Sequence, residues 1–217
     1  MIPLFHDFDG ERVLIFGGGS VGARKARRFA REAETIVVSP TFADVAFGGA
    51  ERIRAAPDES AVDTWLDRTA PALVVAATDD ESLNGAIETA VRKRGILLNR
   101  ADQRGARDAG SVVVPATIRQ DPVVLAIATG GQSPAVSRVL RERLENETYV
   151  RQAGEMARIT SELRKQLQET GVDPDRRQQA IREVVKRDRV WKALDSSGSN
   201  TLEVAADVIS DVIGDTS

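Results

Sequence analysis

The chain is predicted to be an α/β protein. A parallel sheet with helices on both faces is followed by a small β-hairpin with its own helix, and then by an all-helical C-terminal region. Three observations carry this. Short runs that are apolar on both faces alternate with helical patterns through the first half of the chain. That alternation ends near Gly110, where a hairpin takes the place of a crossover. The rest of the chain shows only apolar stripes at helical spacing.

Arg12 to Phe16 is an unbroken apolar strand, Val21 to Arg31 reads as a helix with Gly22, Ala26, Phe29 and Ala30 on its inner side, and Thr35 to Val38 is strand again. This is a βαβ unit. Leu73 to Ala77 is a further buried strand, Leu83 to Arg94 a helix with Ala86, Ala90 and Val91 inward, and Ile96 to Leu98 the next strand. Beyond Gly110, Ser111 to Pro115 and Val123 to Ala128 read as two strands joined by a turn at Asp121-Pro122. Ser133 is the expected N-cap and Pro134 the first residue of the following helix, whose apolar face is Val136, Val139, Leu140 and Leu144. Three stripes end the chain: Met156, Ile159, Leu163 and Leu167; Ile181, Val184, Val185, Trp191 and Leu194; and Leu202, Ala205, Ile209, Val212 and Ile213. The expected division is 1–110 for the sheet domain, 111–147 for a dimerisation region and 148–217 for a helical domain. The hairpin and its helix offer more apolar surface than so small a region can cover alone, so a homodimer is expected.

Composition narrows the function. The 217 residues are 41% hydrophobic and 29% charged, as in an ordinary folded protein, and a net charge of −3 gives no reason to expect a nucleic acid as partner. The absence of cysteine and the single histidine, His6, exclude disulfides, thiol catalysis and a resident soft-metal site, so no metal ligands are assigned. His6 itself reads as a surface or edge residue. The N-terminus has no signal-peptide pattern and no apolar run approaches a membrane span, so a cytoplasmic protein without a membrane partner is expected.

Gly17-x-Gly19-x-x-Gly22 directly follows the first strand and opens a helix. In that setting the first glycine permits a tight turn, the second lets a pyrophosphate approach the backbone, and the third lets helix and strand pack closely. The N–H groups at the helix start, with Ser20 and Val21 in its first turn, would hold the phosphate charge. A plain structural turn is the alternative, and the strand–turn–helix context favours the nucleotide. The acid usual at the end of the second strand is missing. Ser39 stands in its place, and no arginine cluster for a 2′-phosphate lies there, so NAD is preferred over NADP. Ala77-Thr78-Asp79-Asp80, Asn99-Arg100-Ala101-Asp102 and Thr129-Gly130-Gly131-Gln132-Ser133-Pro134 follow later strands, where ligands of an open α/β sheet bind.

Taken together, GGGSVGARKA, ATDD, Asn99-x-x-Asp102 and TGGQSPAVSRVLRERLE, in this order and at these spacings, resemble the precorrin-2 dehydrogenase and sirohydrochlorin ferrochelatase family, which makes siroheme. The resemblance covers about residues 1–150, and the helical tail matches only in type. It implies a Rossmann-type NAD domain, an interlocked homodimer, and NAD-dependent oxidation of precorrin-2 to sirohydrochlorin, followed in some members by insertion of Fe2+. Asp102 takes the position of the family's essential aspartate, and a carboxylate there suits a proton acceptor; pattern alone favours a turn residue, and the resemblance reverses that preference. Thr78 and Asp79 join Gly17, Gly19, Ser20, Val21, Gly22 and Ser39 as candidate cofactor contacts. Asn99, Arg100, Arg119, Thr129, Gly130 and Gly131 are candidate substrate contacts. The implied substrate carries eight carboxylates, and Arg104, Arg107 and Arg138 also flank these loops as possible bidentate partners. For Thr129 the alternative is an ordinary loop residue before a capped helix. Two other function classes are open: an NAD-sensing regulatory module without catalysis, and a helical adaptor on an inert sheet scaffold.

Overall fold

The computed structural model describes residues 3–101, 111–194 and 199–214. They divide into two compact units. One runs to Val114 and includes Gly130–Gln132; the other comprises Pro115–Thr129 and the residues from Ser133 onward.

In the first unit, β1 (Arg12–Phe16), β2 (Glu34–Ser39), β3 (Glu51–Arg54), β4 (Leu73–Ala76) and β5 (Leu97–Arg100) form one parallel sheet in the order β3-β2-β1-β4-β5. The crossovers carry α1 (Ser20–Phe29), α2 (Val62–Thr69) and α3 (Glu81–Lys93). Strand alternation divides the core between the two faces. Leu14, Phe16, Val74 and Ala76 pack with Leu66, Ile87 and Val91 from α2 and α3, whereas Val13, Ile15, Leu73 and Val75 pack with Ala23 and Ala26 of α1. Each of these larger side chains is worth roughly 1.5–3 kcal/mol when removed from water, which is why β1 and β4 lie at the centre. The order reverses between β1 and β4, so the carboxyl ends of those two strands mark the crevice where ligands of such sheets bind.

Two parts of the first half depart from the sequence expectation. β3 and α2 form in a stretch for which no element was expected. Ser111–Pro115 is not a hairpin strand. Ser111 makes a single parallel bridge to Leu98, the Val112 N–H donates to the Leu98 carbonyl at 2.7 Å, and Pro115, which has no N–H, follows.

In the second unit the hairpin is formed by β6 (Ala116–Gln120) and β7 (Val123–Ile127), turning at Asp121-Pro122. α4 (Pro134–Glu145) begins as expected, with the Ser133 hydroxyl accepting from the Val136 N–H at 3.4 Å and Pro134 in the first turn. α5 (Thr148–Glu169), α6 (Pro174–Lys186), α7 (Asp188–Leu194) and α8 (Ser199–Gly214) share one core. It contains Met156, Ile159 and Leu163 of α5, Ile181 and Val184 of α6, Val190 of α7, and Ala205 and Ile209 of α8. The second sequence stripe is thus two helices. The backbone turns extended at Arg187, and the Trp191 indole N–H donates to the Val185 carbonyl at 2.7 Å, closing the end of α6. Val184 takes the inward position, which leaves its neighbour Val185 exposed; Leu202 is exposed too.

α5 lies close against the hairpin at Gly154. A Cβ there would overlap the backbone carbonyl oxygens of Gln120 and Asp121, neither of which can rotate away. Gly154→Ala is therefore expected to lower the unfolding free energy by roughly 1–3 kcal/mol in chemical denaturation, the usual cost of overpacking. An unchanged midpoint would show that helix and hairpin can separate freely.

Candidate cofactor and active site

The three glycines of the fingerprint have three different physical reasons. Gly17 follows β1 with φ of +114°, and a Cβ on it would overlap the carbonyl of Ala77 at the end of β4. Its N–H donates to the Val38 carbonyl at 3.0 Å, while the Ala77 N–H donates to the Phe16 carbonyl at 2.9 Å, so the turn is tied to β2 and β4 together. A Cβ on Gly22 would overlap the Gly17 carbonyl, which fixes how closely α1 approaches the strand. At Gly19, by contrast, a Cβ would meet nothing within 4 Å among the described residues. None of them requires a glycine there.

Gly19 is also the N-cap of α1. It offers no side chain to the first turn, and that turn holds no acidic residue. The leading N–H groups of a helix have no partners within it, and the helix dipole makes that end positive. An open backbone at an uncapped helix start fits the pyrophosphate of a dinucleotide. Ser20 is exposed and Val21 half-buried beside it.

Gly18, between the fingerprint positions, was missed. Its added Cβ would overlap the Thr41 carbonyl and crowd Ser39 Cβ at 2.8 Å, and its own carbonyl accepts from the Ala43 N–H at 2.8 Å. The signal was the unbroken run of three glycines, of which Gly18 is the middle one. This packing holds the end of β2 against the loop, and Ser39 there is buried.

At the end of β4, Thr78 is half-buried and Asp79 exposed. Asp80 caps α3, accepting from the N–H groups of Ser82 at 2.9 Å and Leu83 at 3.1 Å. The Leu83 N–H, then the Ser82 hydroxyl, hold its carboxyl below the ordinary value of 3.8, so the cap is charged at neutral pH and weakens only as pH falls through that lowered value. Asn84 in α3 grips Thr78. The Thr78 hydroxyl donates to Asn84 Oδ1 at 2.8 Å, and Asn84 Nδ2 donates to the Thr78 carbonyl at 2.9 Å.

At the end of β5, Asn99 is 3% exposed; its Nδ2 donates to the Val112 carbonyl at 2.7 Å, and its buried Oδ1 has no partner among the described residues. The amide orientation is set by that carbonyl, so an acceptor remains for a donor from a ligand. Arg100 is placed differently from an exposed clamp. It is 8% exposed, and its Nη1 donates to Glu88 Oε2 at 2.6 Å and to the Asn84 carbonyl at 3.2 Å. Asp102, Arg104 and Arg107 lie outside the described residues.

Thr129 belongs to the second unit. Its hydroxyl donates to the Ser133 carbonyl at 3.0 Å and accepts from the Ser133 N–H at 3.2 Å and the Ser137 hydroxyl at 3.3 Å, tying the hairpin exit to the first turn of α4. Gly130 and Gly131 are exposed, Arg119 is half-buried on β6, and Arg138 is exposed on α4. His6 is exposed and its ring lies 4.4 Å from that of Phe8. Among the described residues no group of three or more His, Cys, Asp or Glu side chains is arranged to hold a metal, and no helix is long and apolar enough to cross a membrane.

Residues 4–116 match the family model NAD_binding_7, described as NAD(P)-binding. Over 215 residues the chain is 33% identical to a protein named precorrin-2 dehydrogenase from Methanosarcina barkeri (strain Fusaro / DSM 804), covering 96% of this chain and 93% of that one. It is also 33% identical to a siroheme synthase from Pseudomonas fluorescens (strain SBW25), over 75% of this chain but 35% of that protein, so it spans about a third of that longer relative. A solved structure titled "SirC, precorrin-2 dehydrogenase" shares the fold, with a TM-score of 0.71 and 22% identity over 97% of this chain and 100% of that one. The match along nearly the whole length of both chains, on a glycine loop with this geometry, decides the kinship: the chain belongs to the precorrin-2 dehydrogenase family.

Proposed function

We propose that this protein oxidises precorrin-2 to sirohydrochlorin in siroheme synthesis, with NAD+ as hydride acceptor. The observation that carries this reading is the full-length kinship to a protein named precorrin-2 dehydrogenase. The glycine loop supports it, since Gly19 is open where every other constraint on the loop comes from the protein itself. When bound, NAD+ supplies the acceptor for a hydride from a tetrapyrrole carbon, and the substrate loses a proton as well.

The chain's own residues divide the remaining work. The first turn of α1 holds the pyrophosphate through Ser20, Val21 and Gly22, with Gly17 setting the turn, and the neutral Ser39 faces the adenosine ribose. Thr78 and Asp79 border the nicotinamide end. Asn99 Oδ1, buried without a partner among the described residues, accepts a hydrogen bond from the bound substrate. Asp102 takes up the proton that leaves the tetrapyrrole. Arg119, Thr129, Gly130 and Gly131 complete the substrate contacts, whereas Arg100 serves as a brace, because its guanidinium is engaged with Glu88.

Fe2+ insertion into the product belongs to the same proposal, supported by the siroheme synthases among the relatives. Iron is then a substrate, and Asp102 is the carboxylate that receives pyrrole protons as metal enters. We also place the protein in the cytoplasm, where its cofactor is available. It is a homodimer in this reading. Val136, Val139, Leu140 and Leu144 form one stripe on α4 and are 48%, 45%, 41% and 37% exposed in the single chain.

The test is an anaerobic incubation of the protein with precorrin-2 and NAD+, followed spectroscopically, with Fe2+ added once the spectrum is stable. NAD+-dependent formation of sirohydrochlorin is expected, and Asp102→Ala is expected to bind NAD+ but to lose this turnover. A second spectral change faster than the enzyme-free rate would establish chelation. No change in the first stage, with NAD+ bound, would leave a cofactor sensor instead. Sedimentation equilibrium at micromolar concentration is expected to give twice the chain mass, and a monomer would refute the α4 interface.

A further inference from the structure

Asn84 and Arg100 do more than fill space. Asn84 is 1% exposed and clasps Thr78 from both sides, through the hydroxyl at 2.8 Å and the carbonyl at 2.9 Å. The Asp80 N–H donates to the same Thr78 hydroxyl at 3.3 Å, so the whole turn after β4 closes around this clasp. On its other side, the Asn84 carbonyl accepts from Arg100 at 3.2 Å. Arg100 is the last residue of β5, and in the sheet register it stands opposite Ala76, the last residue of β4. Its pairing with Glu88 at 2.6 Å fixes the guanidinium, and Glu88 is held in turn by Arg92 at 2.7 Å.

A buried ion pair of this kind is weak evidence for stability, because apolar residues of similar volume serve a core equally well. What such a network does supply is a fixed relation between the pieces it joins. Here the pieces are two adjoining strand ends: the Thr78–Asp80 turn after β4, and the end of β5 that carries Asn99. Helix α3 is the rod between them.

We propose that Asn84 and Arg100 are positioning residues that lock the turn after β4 to the end of β5, so that the cofactor side and the substrate side of the site are presented as one rigid edge. This rests on the dehydrogenase reading above. Asn84 acts through Thr78 on cofactor binding, and Arg100 acts through Asn84 and its own strand on the alignment needed for turnover.

The test uses the full chain with Asn84→Leu, Arg100→Met, Arg100→Lys and the Asn84→Leu/Arg100→Met double variant. Thermal unfolding is recorded for each, NAD+ affinity is titrated calorimetrically, and precorrin-2 oxidation is followed separately. Asn84→Leu is expected to raise the Kd for NAD+ about tenfold and, because Arg100 acts through it, to lower kcat by about the same factor as Arg100→Met. Arg100→Met is expected to lower kcat about tenfold, with KM for both substrates within about twofold of wild type. Arg100→Lys, which keeps a cation in reach of Glu88, should recover a large part of that loss. The double variant should have a kcat no lower than the worse single variant, because the two residues act as one unit. If Asn84→Leu does not fold, Asn84→Asp, which keeps the shape and removes the Nδ2 donor, replaces it with the same expectation. Singles that lower only the unfolding temperature, with Kd and kcat within about twofold of wild type, would overturn the proposal, and so would losses in kcat that multiply in the double. Should the wild type bind NAD+ without oxidising precorrin-2, the dehydrogenase reading falls. The clasp is then judged on NAD+ affinity, and an Asn84 variant with Kd within about twofold of wild type overturns it.

Discussion

The contact on which the site depends is the approach of Gly17 to the carbonyl of Ala77. It brings the turn after β1 against the end of β4 with no room for a side chain, and the positive φ of Gly17 lets the chain leave β1 in the direction that α1 needs. Gly22 then lies on the Gly17 carbonyl and Gly18 on the end of β2, so the N-terminus of α1 is fixed relative to three strands. An anion site at a helix start depends on such rigidity, because its backbone donors work only if they converge on one place. Everything proposed for the cofactor follows from this packing.

The polar groups around the strand ends obey a second constraint, that a buried polar atom needs a partner. Asn84, Thr78, Arg100 and Glu88 satisfy one another within the first unit. Asn99 does so only by half: its amide N–H is taken by Val112, and among the described residues its oxygen has no partner. The second unit solves a different problem. Its four last helices bury a shared core, while α4 keeps its apolar stripe outward.

Much of this was legible in the sequence where burial on both faces leaves a continuous apolar run. Arg12–Phe16 and Leu73–Ala77 announce themselves in that way, and so does the glycine loop between strand and helix. β3 did not, because ERIR is an edge strand with one apolar residue in four positions and its identity comes from pairing with β2. Ser111–Pro115 misled for the opposite reason, since three consecutive valines look like a strand whether or not a ladder is available. At the site, Gly17, Gly19 and Gly22 could be named from spacing, but their different roles could not, because those depend on which backbone atoms lie opposite. Arg100 beside Asn99 read as a substrate clamp; its partner Glu88 lies twelve positions earlier and is brought near only by the pairing of β4 with β5 and the return of α3.

The central claim is that Gly19 is glycine for a ligand and not for the fold, and Gly19→Asp tests it most directly. Aspartate is a favourable N-cap, so the variant should unfold at or above the wild-type temperature. The same carboxylate would occupy and repel the place of a pyrophosphate, so calorimetric titration should show NAD+ affinity lowered at least about tenfold. Wild-type NAD+ affinity in a stably folded Gly19→Asp protein would contradict the account and place the cofactor elsewhere.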